Sequence, residues 1–132
     1  MTQTRKYTLA FCLAIVSFWD LVTTIYGTHS IAGDTPIQIG IAVGFGLLLS
    51  ALLLYTLPIV KNPKEDVFSI SFKGIWFLGL LYDLYTAFMG NFNLLLSSVN
   101  DTPKIVLAVG LTIFTCYAPL YLSKIIFDED ED

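Results

Sequence analysis

Long apolar runs separated by short polar breaks pattern this chain, and four of the runs reach membrane-spanning length. A helix of about 20 residues crosses the hydrocarbon core of a bilayer, which predicts spans over 7–26, 37–60, 74–96 and 105–127. Tyr7 and Tyr26 bracket the first span as interfacial anchors. The stretch from Gly27 to Thr35 reads as a short polar link, and Lys61-Asn62-Pro63-Lys64-Glu65-Asp66 as a clear break. Over 67–73 apolar and polar positions alternate, which suits an amphipathic segment at the membrane interface. Pro58 falls near the end of the second span, where a proline disturbs few backbone bonds, and Pro119 in the last third of the fourth. Asn91 and Asn93 imply that the outer end of the third span meets water or another helix. The predicted fold is an all-α integral membrane protein, a single domain forming a four-transmembrane-helix bundle.

The runs are not independent of one another. Trp19-Asp20-Leu21 with Thr23 and Gly27 is matched by Tyr82-Asp83-Leu84 with Thr86 and Gly90, so aromatic, acid, leucine, threonine and glycine recur in the same register. Asp34-Thr35-Pro36 ahead of the second span matches Asp101-Thr102-Pro103 ahead of the fourth, and Ala42-Val43-Gly44 matches Ala108-Val109-Gly110. Tyr55, Pro58 and Lys61 are then echoed by Tyr117, Pro119 and Lys124. Four motif pairs in one order indicate a duplication, with repeat 1 over about 7–61 and repeat 2 over about 74–124. Because two spans separate the copies, they form a parallel repeat of two helical hairpins. Asp-Thr-Pro is also a helix start: Asp or Thr caps, and Pro at the first helical position gives up an N–H that has no partner there.

Within each repeat the acid is the exceptional residue. Positions i, i+3, i+4 and i+7 share one helix face, so Asp20, Thr23, Thr24 and Gly27 form one stripe and Asp83, Thr86 and Gly90 another. A carboxylate facing lipid costs at least roughly 2.5–3.5 kcal/mol, so both stripes are expected to point into the bundle, towards each other. No basic residue occupies a span core. The acids must therefore be protonated, bonded to hydroxyls or to each other, hydrated, or neutralised by a cation or another subunit. Two carboxylates in a low dielectric favour sharing a proton. The functional expectation is a site for protons or small cations, with Thr23, Thr24 and Thr86 as neutral oxygen donors, in an oligomeric transporter or channel. The alternative is an accessory or anchor subunit of a larger membrane complex, its aspartates serving as interhelical hydrogen-bond locks. Gly27, Gly40, Gly44, Gly90 and Gly110 are the candidate helix-packing residues; the Gly40-x-x-x-Gly44 face serves either internal packing or a dimer seam.

Composition agrees with the pattern: 55% of the 132 residues are hydrophobic and 14% charged. The net charge of -4 is dominated by the run 128–132, which holds five of the eleven acids and reads as a solvated tail. No basic patch points to nucleic acid. Arg5, Lys6, Lys61, Lys64, Lys73 and Lys124 fall on one side of the predicted bundle and only Lys104 on the other, which sets both termini in the cytoplasm. Arg5 and Lys6 before a full-length first span, without a small-residue cleavage site, suit a retained signal anchor. Cys12 and Cys116 both fall inside spans and read as buried small apolar residues. His29 reads as a solvated loop residue, and Trp19, Trp76, Tyr82 and Tyr85 as core or interfacial packing. No Ser/His/Asp set, metal-ligand spacing or Gly-rich phosphate loop is present, so neither enzyme, metal site nor cofactor is expected, and the expected partners are the lipid bilayer and either further copies or a membrane complex. In size and span number the chain resembles the small multidrug transporters. Those carry a glutamate in the first span and commonly insert in both orientations, whereas this chain has Asp20 and Asp83 and a one-sided lysine bias.

Overall fold

The computed structural model describes residues 2–127 and contains five α-helices: α1 (Gln3–Ala32), α2 (Pro36–Leu54), α3 (Thr56–Lys61), α4 (Val67–Gly90) and α5 (Asp101–Phe127). A π-helical turn, Asn91–Leu95, extends α4, and there is no strand among the described residues. Four helical segments are long and apolar enough to cross a membrane: Gln3–Ala32, Pro36–Leu54, Val67–Leu95 and Thr102–Phe127. The acidic run 128–132 lies outside the described residues.

Each predicted span has its helix, but the boundaries move for local reasons. The polar residues after Gly27 support α1 instead of ending it. Ser30 Oγ donates to the Tyr26 carbonyl at 2.9 Å, while Thr28 is buried with its hydroxyl 2.8 Å from Tyr82 Oη. The link shrinks to Gly33–Thr35. Gly33 supplies the turn with φ 114°, which only glycine adopts readily, and its N–H closes on the His29 carbonyl at 2.9 Å. Thr35 then forms a capping box with Gln38: Thr35 Oγ1 accepts from the Gln38 N–H at 3.3 Å, and Gln38 Oε1 accepts from the Thr35 N–H at 3.0 Å. His29 is therefore not a free loop residue; its Nε2 lies 2.9 Å from Asp34 Oδ1 across the turn.

The predicted second span is two helices. A proline ring collides with the carbonyl four residues earlier, here Leu54, and the helix breaks at Tyr55 (φ -90°, ψ 14°) three residues before Pro58. Side chains absorb the freed groups. Thr56 Oγ1 donates to the Leu53 carbonyl and itself accepts from Trp76 Nε1–H at 2.9 Å, and the Leu57 N–H donates to Ser123 Oγ of α5 at 3.0 Å.

Residues 67–73 are the first two turns of α4 and not a separate interfacial segment. Ser69 and Lys73 face the preceding break, where Asn62 Nδ2 lies 3.4 Å from Ser69 Oγ and Lys73 Nζ donates to the Asn62 carbonyl at 2.9 Å, while Ser71 is exposed. At the far end, Asn91 meets other helices and not water, being fully buried. The second Asp-Thr-Pro also differs from the first. α5 starts at Asp101, so Pro103 sits inside the first turn, and the Lys104 N–H already bonds the Asn100 carbonyl at 2.9 Å. Its missing N–H is still among the four that a helix start leaves unpaired.

α1 is the centre of the assembly and packs against α2, α4 and α5. Much of its core is small and hydroxylated, with Ala42, Ala87, Ala108, Thr23, Thr24, Thr86, Thr112, Thr115 and Ser123 buried beside a few larger residues such as Leu49, Leu53 and Leu122. Most other large apolar side chains face outwards, as with Phe11 at 68% and Leu48 at 73% exposure. This inverts the usual soluble arrangement and is what lipid, itself apolar, asks of a helix bundle. Cys12 follows the same rule and is exposed, against the expectation that it is buried.

Candidate functional site

The two predicted stripes meet where α1 crosses α4. Helical spacing puts Asp20, Thr23, Thr24 and Gly27 on one buried face and Asp83, Thr86 and Gly90 on the other. Glycine permits the close approach. A Cβ on Gly27 would lie 2.7 Å from Thr86 Cβ, and one on Gly90 would lie 2.5 Å from Thr23 Cβ. The two contacts are reciprocal, since Thr23 and Gly27 stand to Asp20 as Thr86 and Gly90 stand to Asp83.

A second reciprocal pair extends the crossing. Trp19 Nε1–H donates to Asn91 Oδ1 at 2.8 Å, and the Tyr82 and Thr28 hydroxyls lie 2.8 Å apart. Trp19 and Tyr82 each precede an aspartate, and Thr28 and Asn91 each lie eight residues beyond one. In helices running side by side in one direction, Trp19 and Asn91 would be separated along the axis by roughly 13 Å. The paired positions thus run in opposite order along α1 and α4, with the aspartates beside the contact. Asn91 also reaches α5, its Nδ2 lying 3.4 Å from Thr115 Oγ1. The aromatics expected to act only in packing thus carry interhelical hydrogen bonds as well, including Trp76 through Thr56.

Asp20 and Asp83 are 2% and 1% exposed. One carboxylate oxygen of each and Cys116 Sγ lie within 4.8 Å of one another, with the Cys116 thiol 4.0 Å from Asp20 Oδ1. Thr24 Oγ1 lies 3.0 Å from Asp83 Oδ1 and 2.9 Å from the Asp20 carbonyl. Asp83 Oδ2 is buried without any hydrogen-bond partner. Every lysine and arginine among the described residues lies within about two turns of a helix end, so no cationic side chain faces the pair.

Not every predicted oxygen donor takes that role. Thr23 Oγ1 donates to the Asp20 carbonyl at 2.8 Å and Thr86 Oγ1 to the Asp83 carbonyl at 3.1 Å, each within its own helix, while their methyl groups face the glycines. Of the three threonines Thr24 alone reaches the other helix's aspartate, the matching position of α4 being Ala87. The glycines divide too. Gly27 and Gly90 pack as expected, but a Cβ on Gly40, Gly44 or Gly110 would meet nothing within 4 Å. Two residues turn a helix by about 200°, so with Ala42, Gly46 and Ala108 facing inwards these glycines face out.

Cys116 is the site residue that sequence spacing did not reveal, and with the two aspartates it forms a cluster of three ligand-type side chains. The three groups come from α1, α4 and α5, so no local motif joins them. A signal did exist: Thr112, Thr115, Cys116, Pro119 and Ser123 form a continuous polar or small stripe at helical spacing on α5. A recess of about 230 Å³ reaches Asp20 between α1, α2 and α5 and is lined also by Ser17, Ser50, Leu54 and Pro119. Ser17 Oγ is buried there without a partner. A larger recess of about 420 Å³ between α2 and α4, lined by Phe45, Leu48, Leu52 and Leu78, is apolar. No protein family, curated protein or solved structure matches the chain.

Proposed function

We propose that this chain is a small multi-pass membrane protein that carries protons or small cations through a site built on Asp20 and Asp83. One observation carries the reading: two buried carboxylates face each other with no cationic side chain beside them, and Asp83 Oδ2 has no hydrogen-bond donor. A buried polar atom left so is costly unless a ligand completes it, and intramembrane acids mark ion and proton pathways. The recess beside Asp20 gives such a ligand an approach from the α2 and α5 side. The reciprocal contacts of α1 and α4 support a duplicated hairpin, in which each repeat contributes one acid. The one-sided distribution of basic residues supports cytoplasmic termini. The outward small residues Gly40, Gly44 and Gly110 offer a surface for close approach of a further copy in the bilayer.

The test is flux. Protein reconstituted into liposomes carrying a pH-sensitive dye is expected to dissipate an imposed proton or cation gradient, and Asp20→Asn and Asp83→Asn proteins of unchanged helicity are expected not to. Equal flux in wild type and both variants overturns the proposal. The lock reading, in an accessory subunit, is favoured by the bond from Thr24 to Asp83 and the tight glycine packing. It predicts no flux from the isolated chain, destabilisation of both Asn variants, and co-purification with a partner.

A further inference from the structure

We propose that Asp20, Asp83 and Cys116 bind a thiophilic divalent cation, of the class of Zn²⁺ and its d-block neighbours, an inference that rests on the cation-binding reading of the two aspartates. Three side chains from three helices converge with their ligating atoms within 4.8 Å of one another, and none is more than 3% exposed. A tetrahedral zinc ion with oxygen at about 2.0 Å and sulfur at about 2.3 Å holds its ligands about 3.3–3.5 Å apart. The thiol and Asp20 Oδ1 lie 4.0 Å apart and all three atoms within 4.8 Å, so binding draws the ligands together by about an ångström.

The donor set selects the ion. Alkali ions, Mg²⁺ and Ca²⁺ favour all-oxygen sites, whereas a thiolate beside carboxylates suits borderline and soft metals. Two acids also supply negative charge where the helices supply no positive side chain. The second observation is Asp83 Oδ2: buried, without a donor, on a carboxylate whose other oxygen is already held by Thr24 Oγ1 at 3.0 Å. Thr24 thus stands where an outer-shell partner orients a ligand, leaving the free oxygen for the ion. Water completes the coordination. Ser17, one helical turn before Asp20, lines the recess leading to it with a hydroxyl that has no partner, so the approach is not wholly apolar.

Purified full-length protein in detergent micelles is titrated with Co²⁺ as an optical probe and then with Zn²⁺. The expected result is one Co²⁺ per chain, a sulfur-to-cobalt charge-transfer band with tetrahedral d–d bands, and bleaching by one equivalent of Zn²⁺. Cys116→Ser should abolish the charge-transfer band and Cys12→Ser should leave it intact. Asp83→Asn should weaken binding by more than the roughly 10- to 100-fold typical of losing an outer-shell partner. Absence of the band in wild type, or its survival in Cys116→Ser, overturns the metal site. Cys116→Ser is a near-isosteric change that preserves the packing, so it keeps the test decisive even where Asp83→Asn does not fold. Proton flux that persists in wild type and is lost in Asp20→Asn, with no cobalt band, removes the metal site alone. A cobalt band with flux unaffected by either Asn variant removes the transport reading alone.

Discussion

Gly90→Ala probes the crossing directly. The added methyl would lie 2.5 Å from Thr23 Cβ, 2.6 Å from Thr23 Cγ2 and 2.9 Å from Thr23 Cα. Non-bonded carbons rest at about 3.5–4.0 Å, so α1 and α4 must separate by about 1 Å. One of the three crowded atoms belongs to the Thr23 backbone, and no rotamer moves it away. That separation stretches the Trp19 to Asn91 bond from 2.8 Å and the Thr24 to Asp83 bond from 3.0 Å beyond hydrogen-bonding range. Overpacking costs about 1–3 kcal/mol, and each interhelical bond in an apolar surrounding contributes about 0.6 kcal/mol. Replacing glycine returns about 0.4–1 kcal/mol through the unfolded chain. The expected net loss is about 1.5–3.5 kcal/mol. Cys116 gives the assay: it is buried, so in a Cys12→Ser background its alkylation on heating in micelles reports opening of the bundle. Gly110→Ala is the control, since its methyl enters open space, and it should alter the transition little or raise it. A Gly90→Ala protein as stable as Gly110→Ala would refute the close crossing. Adding Thr23→Ala should restore only part of the loss, because the Thr23 backbone and its first side-chain carbon remain.

Other consequences are as specific. Thr24→Val removes the only hydroxyl linking the two helices at the acids and should destabilise by about 1–3 kcal/mol; Thr23→Val, whose hydroxyl serves only its own helix, should cost less in the same thermal assay. Ser123→Ala leaves the Leu57 N–H unpaired at the break between α2 and α3 and should cost about 1–3 kcal/mol, with faster hydrogen exchange confined to 55–57. Gly33→Ala forces a side chain into φ 114° and against Gln38, so it should lower the melting temperature, whereas Gly40→Ala should not.

The apolar runs dictate the number and order of the helices long and apolar enough to span a membrane, because such runs satisfy their backbone internally only as helices. The stripes around Asp20 and Asp83 were readable for a related reason, since a helix admits only one face for i, i+3 and i+7. What escaped was whatever depends on a partner distant in sequence. Cys116 joins the acids only because α5 lies against α1, and Ser123 matters only because Pro58 frees a backbone N–H four positions from Leu53. Pro58 was visible, but its effect falls on the carbonyl it collides with and therefore shows at Tyr55. The alternation over 67–73 became helix, in which Ser69 and Lys73 turn towards Asn62 while Ser71 lies exposed on the other side. The second Asp-Thr-Pro shows the limit of a local start signal: the same three residues cap α2 and lie inside α5.

The inequality of Thr24 and Ala87 has a consequence for anything held between the acids. Identical halves would form a symmetric double well, with two resting places of equal depth and no arrow between them. The Thr24 hydroxyl at the Asp83 carboxylate has no counterpart at that of Asp20, while the Cys116 thiol lies near both, so an ion or proton at the proposed site would meet two unequal resting places.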